Sequence, residues 1–340
     1  MNLELISRNR SSIYGISMLW IMLFHSSFSF SKTWMLPLLI AKNMGNCGVD
    51  IFLFVSGISL YFSLSKQNCS LKDFYVHRIK RIVFPTLVTS MLWFGFLAPN
   101  PAPDISAFLL DVTGISLFIY GKRTIWFVTM IMICYVVYPL LYSVNKKTDN
   151  SLGALVIIVL MCIILNIILR SYVPMFWKNS EILFRRIPIF VIGSFCGKYV
   201  YEKRSLPFSV NQCATISIII VVIYILTRPY WIRMIPERYV YIIVSISCTV
   251  LFSIIGNVSV INHIAAWFAP ITFEVYLCHE KWISIITRLF PTIGSVGINL
   301  ASFVLCIATA RLMVFLENGV YNKLAFRNKP ELFMTSGSCP

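Results

Sequence analysis

Apolar runs about 20 residues long recur along this chain, the length an α-helix needs to cross the hydrocarbon core of a bilayer. Such runs fall at 12–31, 46–65, 82–98, 124–143, 152–170, 184–201, 209–227, 238–256, 264–283 and 296–316. Hydrocarbon offers no water to backbone N–H and C=O groups, so each run must satisfy them internally as a helix. The expected fold is therefore all-α, a polytopic integral membrane helix bundle of about ten transmembrane helices. The ninth run is the most interrupted, by Glu274, His279 and Glu280.

Composition agrees with the spans. Hydrophobic residues make up 58% of the chain and charged residues 12%, with a mean hydropathy of +0.79; a soluble domain carries roughly twice that charged share. The net charge of +16 lies in short basic clusters between apolar runs, as at 72–81 and 198–204. That pattern suits lipid headgroups or a phosphorylated substrate and argues against a nucleic-acid partner. Of the ten cysteines, Cys134, Cys162, Cys196, Cys248 and Cys306 lie inside apolar runs, where thiols act as small hydrophobes, and no CxxC pair occurs. The first run has no small-residue cleavage site after it and is expected to remain as a span.

Connections are short except at 98–123, where Ala98-Pro99-Asn100-Pro101-Ala102-Pro103 cannot be helical. Residues 1–327 read as one transmembrane domain, and 328–340 as a polar tail expected to be disordered. The basic cluster Lys72, Arg78, Lys80 and Arg81 favours cytoplasmic N- and C-termini.

Three groups carry chemistry. His25 lies deep in the first span, where an imidazole must face the bundle interior and find a partner; a nearby hydroxyl of Ser26 or Ser29 would satisfy it without any function. At 1.5 Å per residue, His25 and Asp50 fall within about 6–10 Å of the same end of the first two spans. Such a pair would orient the imidazole as a general base, although Asp50 could equally cap the second helix. Arg78 and Arg81, three residues apart, share one helix face and suit bidentate recognition of phosphate, or else anchor a membrane boundary. His25, His77, His263 and His279 show no metal-ligand spacing such as HExxH, so no metal is expected. His77 reads as interfacial, and His263 as structural in a short connection.

The order of these pieces resembles the acyltransferase-3 family of membrane acyltransferases. Leu23-Phe24-His25 ends the first apolar run. Gly48-Val49-Asp50-Ile51-Phe52-Leu53-Phe54-Val55-Ser56-Gly57 follows, then Arg78-Ile79-Lys80-Arg81-Ile82-Val83-Phe84-Pro85. Trp126-Phe127 with Tyr135 and Pro139, Phe190-Val191-Ile192-Gly193, and Tyr276-Leu277-Cys278-His279 complete a series across nearly the whole chain. One position departs: family members carry a basic residue eleven positions before the histidine, where this chain has Tyr14, with Arg10 one turn earlier on the same face.

The resemblance implies O-acyl transfer, commonly acetyl, from acyl-coenzyme A to a hydroxyl of a cell-surface glycan or lipid-linked saccharide, in a bacterial inner membrane. It implies His25 and Asp50 as catalytic residues. Arg78, Arg81 and Arg10 would hold the coenzyme A phosphates, and Trp126, Tyr135, Glu274 and His279 would line the substrate site. The arginines and His25 are ~15–20 Å apart by span counting, so this arrangement calls for a channel through the bundle. A transporter or flippase for lipid-linked sugars or small anions would also place ionisable residues in spans. It is disfavoured by the lack of an internal repeat. An assembly or regulatory protein with a decayed site is the third reading, which Tyr14 would suit.

Overall fold

A computed structural model describes residues 1–325, apart from 29, 31, 66–69, 95–103, 149 and 235–236. The tail expected at 328–340 and the proline-rich stretch at 98–103 lie outside the described residues.

The chain is a helix bundle. In order, the helices are α1 (Glu4–Arg8), α2 (Arg10–His25), α3 (Leu36–Met44), α4 (Cys47–Ser65), α5 (Leu71–Leu92), α6 (Ile105–Val112), α7 (Ile115–Tyr120) and α8 (Trp126–Lys147). There follow α9 (Ser151–Tyr172), α10 (Pro174–Phe184), α11 (Ile187–Tyr201), α12 (Val210–Met234), α13 (Glu237–Ile255), α14 (Ser259–Phe268), α15 (Thr272–Leu289) and α16 (Gly294–Ala325). Every expected span is met by a helix. Among the described residues, six helical stretches are long and apolar enough to cross a membrane, and Tyr239–Ile255 is a shorter apolar helix. The 16-residue α2 and 15-residue α11 are too short by that measure, and α5 carries a basic first half. The protein is thus a multi-pass membrane protein. The ninth expected span is divided between α14 and α15 by a 3₁₀ turn at Ala269–Ile271, because Pro270 removes a backbone donor from what would otherwise be one helix. His263 accordingly lies on a helix, α14, and not in a connection.

Burial separates centre from periphery. In α4, 78% of the spanning window is buried, against 6% in α9, although both are strongly apolar. An apolar helix left uncovered by protein is covered by lipid, so α9 is peripheral and α4 is the axis of the bundle. Helix α4 packs most extensively on α11, and also on α2, α13 and α8. Small residues permit this closeness. A Cβ on Gly57 would come within 2.6 Å of the Ser194 nitrogen and 2.7 Å of the Phe190 carbonyl oxygen. A Cβ on Gly193 would collide with the Phe54 carbonyl in return. The Ser56-Gly57 and Phe190–Gly193 blocks are therefore two halves of one helix contact.

The eight cysteines among the described residues are all free thiols.

Candidate active site

Helix α5 begins at a capped turn. Ser70 Oγ accepts from the Asp73 N–H at 3.1 Å and donates to the Asp73 carboxylate at 2.6 Å, which satisfies the first turn of the helix. His77 is exposed, with Nδ1 2.7 Å from the Asp73 carbonyl oxygen, as an interfacial residue would be.

Arg78 and Arg81 line a cavity of 350 Å³ together with Arg10, Tyr14, Ser56 and Tyr135. Arg78 donates to Ser63 Oγ at 2.8 Å and lies over the Tyr135 ring at 5.8 Å. Arg10 reaches Ser59 Oγ at 3.5 Å, and the Tyr14 hydroxyl lies 3.3 Å from Ser56 Oγ. Three guanidinium groups from two helices thus converge on one space. The cation missing at position 14 stands one turn away, at Arg10, on the same wall.

From this cavity two helical stripes lead toward His25. On α2 the lining residues Arg10, Tyr14, Met18 and Ile21 are spaced by three or four, and His25 is the next residue on that face. On α15 the lining residues Thr272, Phe273 and Tyr276 are followed one turn later by His279 and Glu280. The cavity lining includes Ile21 and Tyr276 but neither His25 nor His279. Among the described residues this cavity stops about one turn short of His25 and His279. Tyr276 stands at that end, with its ring 5.0 Å from Phe127 and 5.7 Å from His279.

The carboxylate set against His25 is Glu280, and this corrects the expected His25–Asp50 contact. His25 Nδ1 lies 2.8 Å from Glu280 Oε1. Ser26 does not satisfy the imidazole, since its hydroxyl donates to the Leu23 carbonyl at 2.6 Å; Ser29 lies outside the described residues. The chain leaving α2 is held by Lys42, whose ammonium donates to the Ser26 and Phe28 carbonyls at 2.7 Å each. Asn299 Oδ1 accepts from the Ser27 N–H at 3.0 Å. His279 packs edge-on to His25, with ring centroids 5.0 Å apart. Its Nδ1–H donates to the Tyr276 carbonyl at 2.7 Å, which leaves Nε2 as a bare lone pair, buried and without a hydrogen-bond partner among the described residues.

Asp50 instead faces Arg186, with Oδ1 3.4 Å from Nε. Arg186 also donates to Asn46 Oδ1 at 2.7 Å and stacks on Trp126 at 4.8 Å. Trp126, expected at the substrate site, is therefore part of this buried ionic cluster, and its neighbour Phe127 lines the cavity. Glu274 is displaced as well. It is buried in the first turn of α15, has Arg81 and Glu317 as electrostatic neighbours, and neither lines the cavity nor joins His25. Arg186 was not singled out in the sequence, where an arginine just before an apolar run was the available signal; Glu280 stood out with Glu274 and His279 as an interruption of the ninth run near the acceptor side, but not as the partner of His25.

The expectation of no metal rested on spacing along the chain. In space, ligand atoms of His25, His279 and Glu280 all lie within 4.8 Å of one another.

These features define a polytopic helical membrane protein with an arginine-lined cavity directed at a histidine–carboxylate pair. The acyltransferase-3 family profile, described as an acyltransferase domain, matches residues 14–316, and the chain belongs to that family. It is a membrane acyltransferase, transferring groups other than amino-acyl groups. Comparison with curated proteins and with solved structures gives no match.

Proposed function

We propose that this protein moves an acyl group, acetyl being the simplest, from acyl-coenzyme A to a hydroxyl of a cell-surface glycan or lipid-linked saccharide. The observation that carries the reading is the α2 stripe. One helix face presents Arg10 and Tyr14 to the cavity and His25 to the far end, ~22 Å away.

Coenzyme A offers clustered phosphates at one end and a thioester at the end of a long, narrow arm. Arg10, Arg78 and Arg81 supply planar forks that bind phosphate oxygens in pairs, at the cytoplasmic face in this reading. The pantetheine arm then follows the stripe past Met18 and Ile21, which requires Tyr276 and Phe127 to swing aside. At the other end His25 removes the proton from the acceptor hydroxyl as its oxygen attacks the thioester carbonyl. The C–S bond breaks, and the proton passes to the departing thiolate. Glu280 holds the imidazole in one tautomer and stabilises its protonated form, the function of a carboxylate partner to a general base. His279 lines the acceptor side. The proposed location is the bacterial inner membrane, with both termini cytoplasmic.

The test is turnover of acyl-coenzyme A by protein in lipid, with extracted glycolipid as acceptor, for wild type and His25→Ala. Release of free coenzyme A that disappears in His25→Ala is the expected result. Turnover unchanged in His25→Ala overturns the mechanism, and no turnover with any acyl-coenzyme A overturns the choice of donor.

A further inference from the structure

We propose that His25, His279 and Glu280 form a binding site for a divalent transition-metal ion, zinc above others, at the end of the bundle away from the arginine-lined cavity. The ligand atoms of the three residues already lie within 4.8 Å of one another. Two helices bring them there: α2 contributes His25 from its last turn, and α15 contributes the adjacent pair His279 and Glu280.

His279 shows the strongest preparation. Its Nδ1–H is committed to the Tyr276 carbonyl at 2.7 Å, the outer-shell bond that commonly fixes a metal-binding imidazole. Its Nε2 is left buried without a hydrogen-bond partner among the described residues, in a residue that is only 3% exposed. A buried acceptor with nothing to accept keeps its desolvation cost, and a cation in the adjacent space removes that cost.

The ligand set is two imidazole nitrogens and one carboxylate oxygen. That combination suits zinc and disfavours magnesium and calcium, which prefer all-oxygen shells. Zinc–nitrogen and zinc–oxygen bonds of ~2.0–2.2 Å around a tetrahedron put ligand atoms roughly 3.3–3.5 Å apart. The widest separation, up to 4.8 Å, must therefore close by as much as about 1.4 Å, while the His25–Glu280 pair, now at 2.8 Å, opens slightly. The proton shared by that pair leaves to solvent when the ion enters. Access needs no passage through the cavity, because the His25 and Glu280 side chains are 32% and 57% exposed. The nearest cation along α15, Lys281, is turned onto the Trp93 ring at 5.7 Å. The fourth position stays open to water.

An ion at this site takes the His25 lone pair that a general base needs. Resting on the acyl-transfer reading, bound zinc therefore switches the enzyme off, and a chelator restores it.

The experiment is zinc binding by protein purified without a histidine tag, reconstituted in lipid discs and dialysed against buffered zinc, with metal content read by mass spectrometry. Cobalt(II) absorption in the visible reports the coordination geometry. One ion per chain is expected, with at least tenfold weaker binding in His25→Gln, His279→Gln and Glu280→Gln, and unchanged binding in His77→Gln and His263→Gln. The intense absorption of four-coordinate cobalt should vanish in the first three. Since Glu280 is exposed, Glu280→Gln serves even if His279→Gln fails to fold. Zinc content at background, or binding indifferent to all three substitutions as cysteine ligation would give, overturns the site. Neither donor nor acceptor is present in this measurement, so its failure is distinct from failure of the acyl-transfer reading. Where turnover is measurable, bound zinc that leaves it unchanged overturns the inhibitory role.

Discussion

His25 Nδ1 and Glu280 Oε1 are 2.8 Å apart, a contact between the last turn of α2 and a helix near the opposite end of the chain. If Glu280 orients the base, Glu280→Gln should lower kcat at least tenfold with little change in KM for acyl-coenzyme A. His25→Gln should lose more, within the 10²–10⁴-fold range typical of a general base. Steady-state kinetics on both variants decide it. Full activity in Glu280→Gln combined with loss in a well-folded Asp50→Asn would restore the Asp50 pairing.

Asp50 and Arg186 should behave as a structural pair. Arg186 is 1% exposed, and removing it leaves the Asp50 carboxylate buried beside α11 without that partner. Breaking such a pair costs about 3–5 kcal/mol. Arg186→Ala should lower the detergent melting temperature markedly, and Asp50→Ala with Arg186→Ala should recover part of the loss. A double-mutant cycle showing no coupling would contradict the pairing.

The arginine cavity should control donor affinity. Each of Arg10→Ala, Arg78→Ala and Arg81→Ala should raise KM for acyl-coenzyme A roughly tenfold or more, as expected for hydrogen bonds to a charged partner worth about 1.5–3 kcal/mol. Tyr14→Lys adds a fourth cation to the same wall and should lower KM. An acyl-pantetheine donor without phosphates should be indifferent to all four substitutions, and sensitivity to them would remove phosphate recognition as the cause.

The contact between α4 and α11 leaves no room for a methyl group. Gly193→Ala forces a Cβ onto the Phe54 carbonyl and Gly57→Ala onto Ser194 and Phe190. Overpacking of this kind costs about 1–3 kcal/mol. Both variants should melt earlier than wild type, whereas Gly319→Ala, with open space around it, should melt with wild type.

Much of the fold was legible in one dimension because the bilayer acts on local sequence. A run of apolar residues has to be helical wherever it enters hydrocarbon, so the spans could be located without knowing their neighbours. Pro270 shows the limit: the apolar run continues through it, and only the missing backbone donor divides α14 from α15. The cavity arginines were legible for a related reason. Arg78 and Arg81 are three residues apart on one helix, and Arg10 is one turn from Tyr14, so helical geometry alone places each set on a face.

Partner choice was not legible. Asp50 and Glu280 are both carboxylates in apolar surroundings, and span counting brings Asp50 to nearly the depth of His25. Depth gives height along the membrane normal and says nothing about rotation around a helix or order within the bundle. The α4–α11 glycine contact carries Asp50 to Arg186, and the packing of α15 on α2 delivers Glu280 to His25. Trp126 and Glu274 moved away from the site for the same reason. Read along the chain alone, the residues already describe a helical membrane acyltransferase bearing arginines at one end and a histidine at the other. Which acid meets that histidine emerges only once the helices are packed, because lateral packing is a property of the whole bundle.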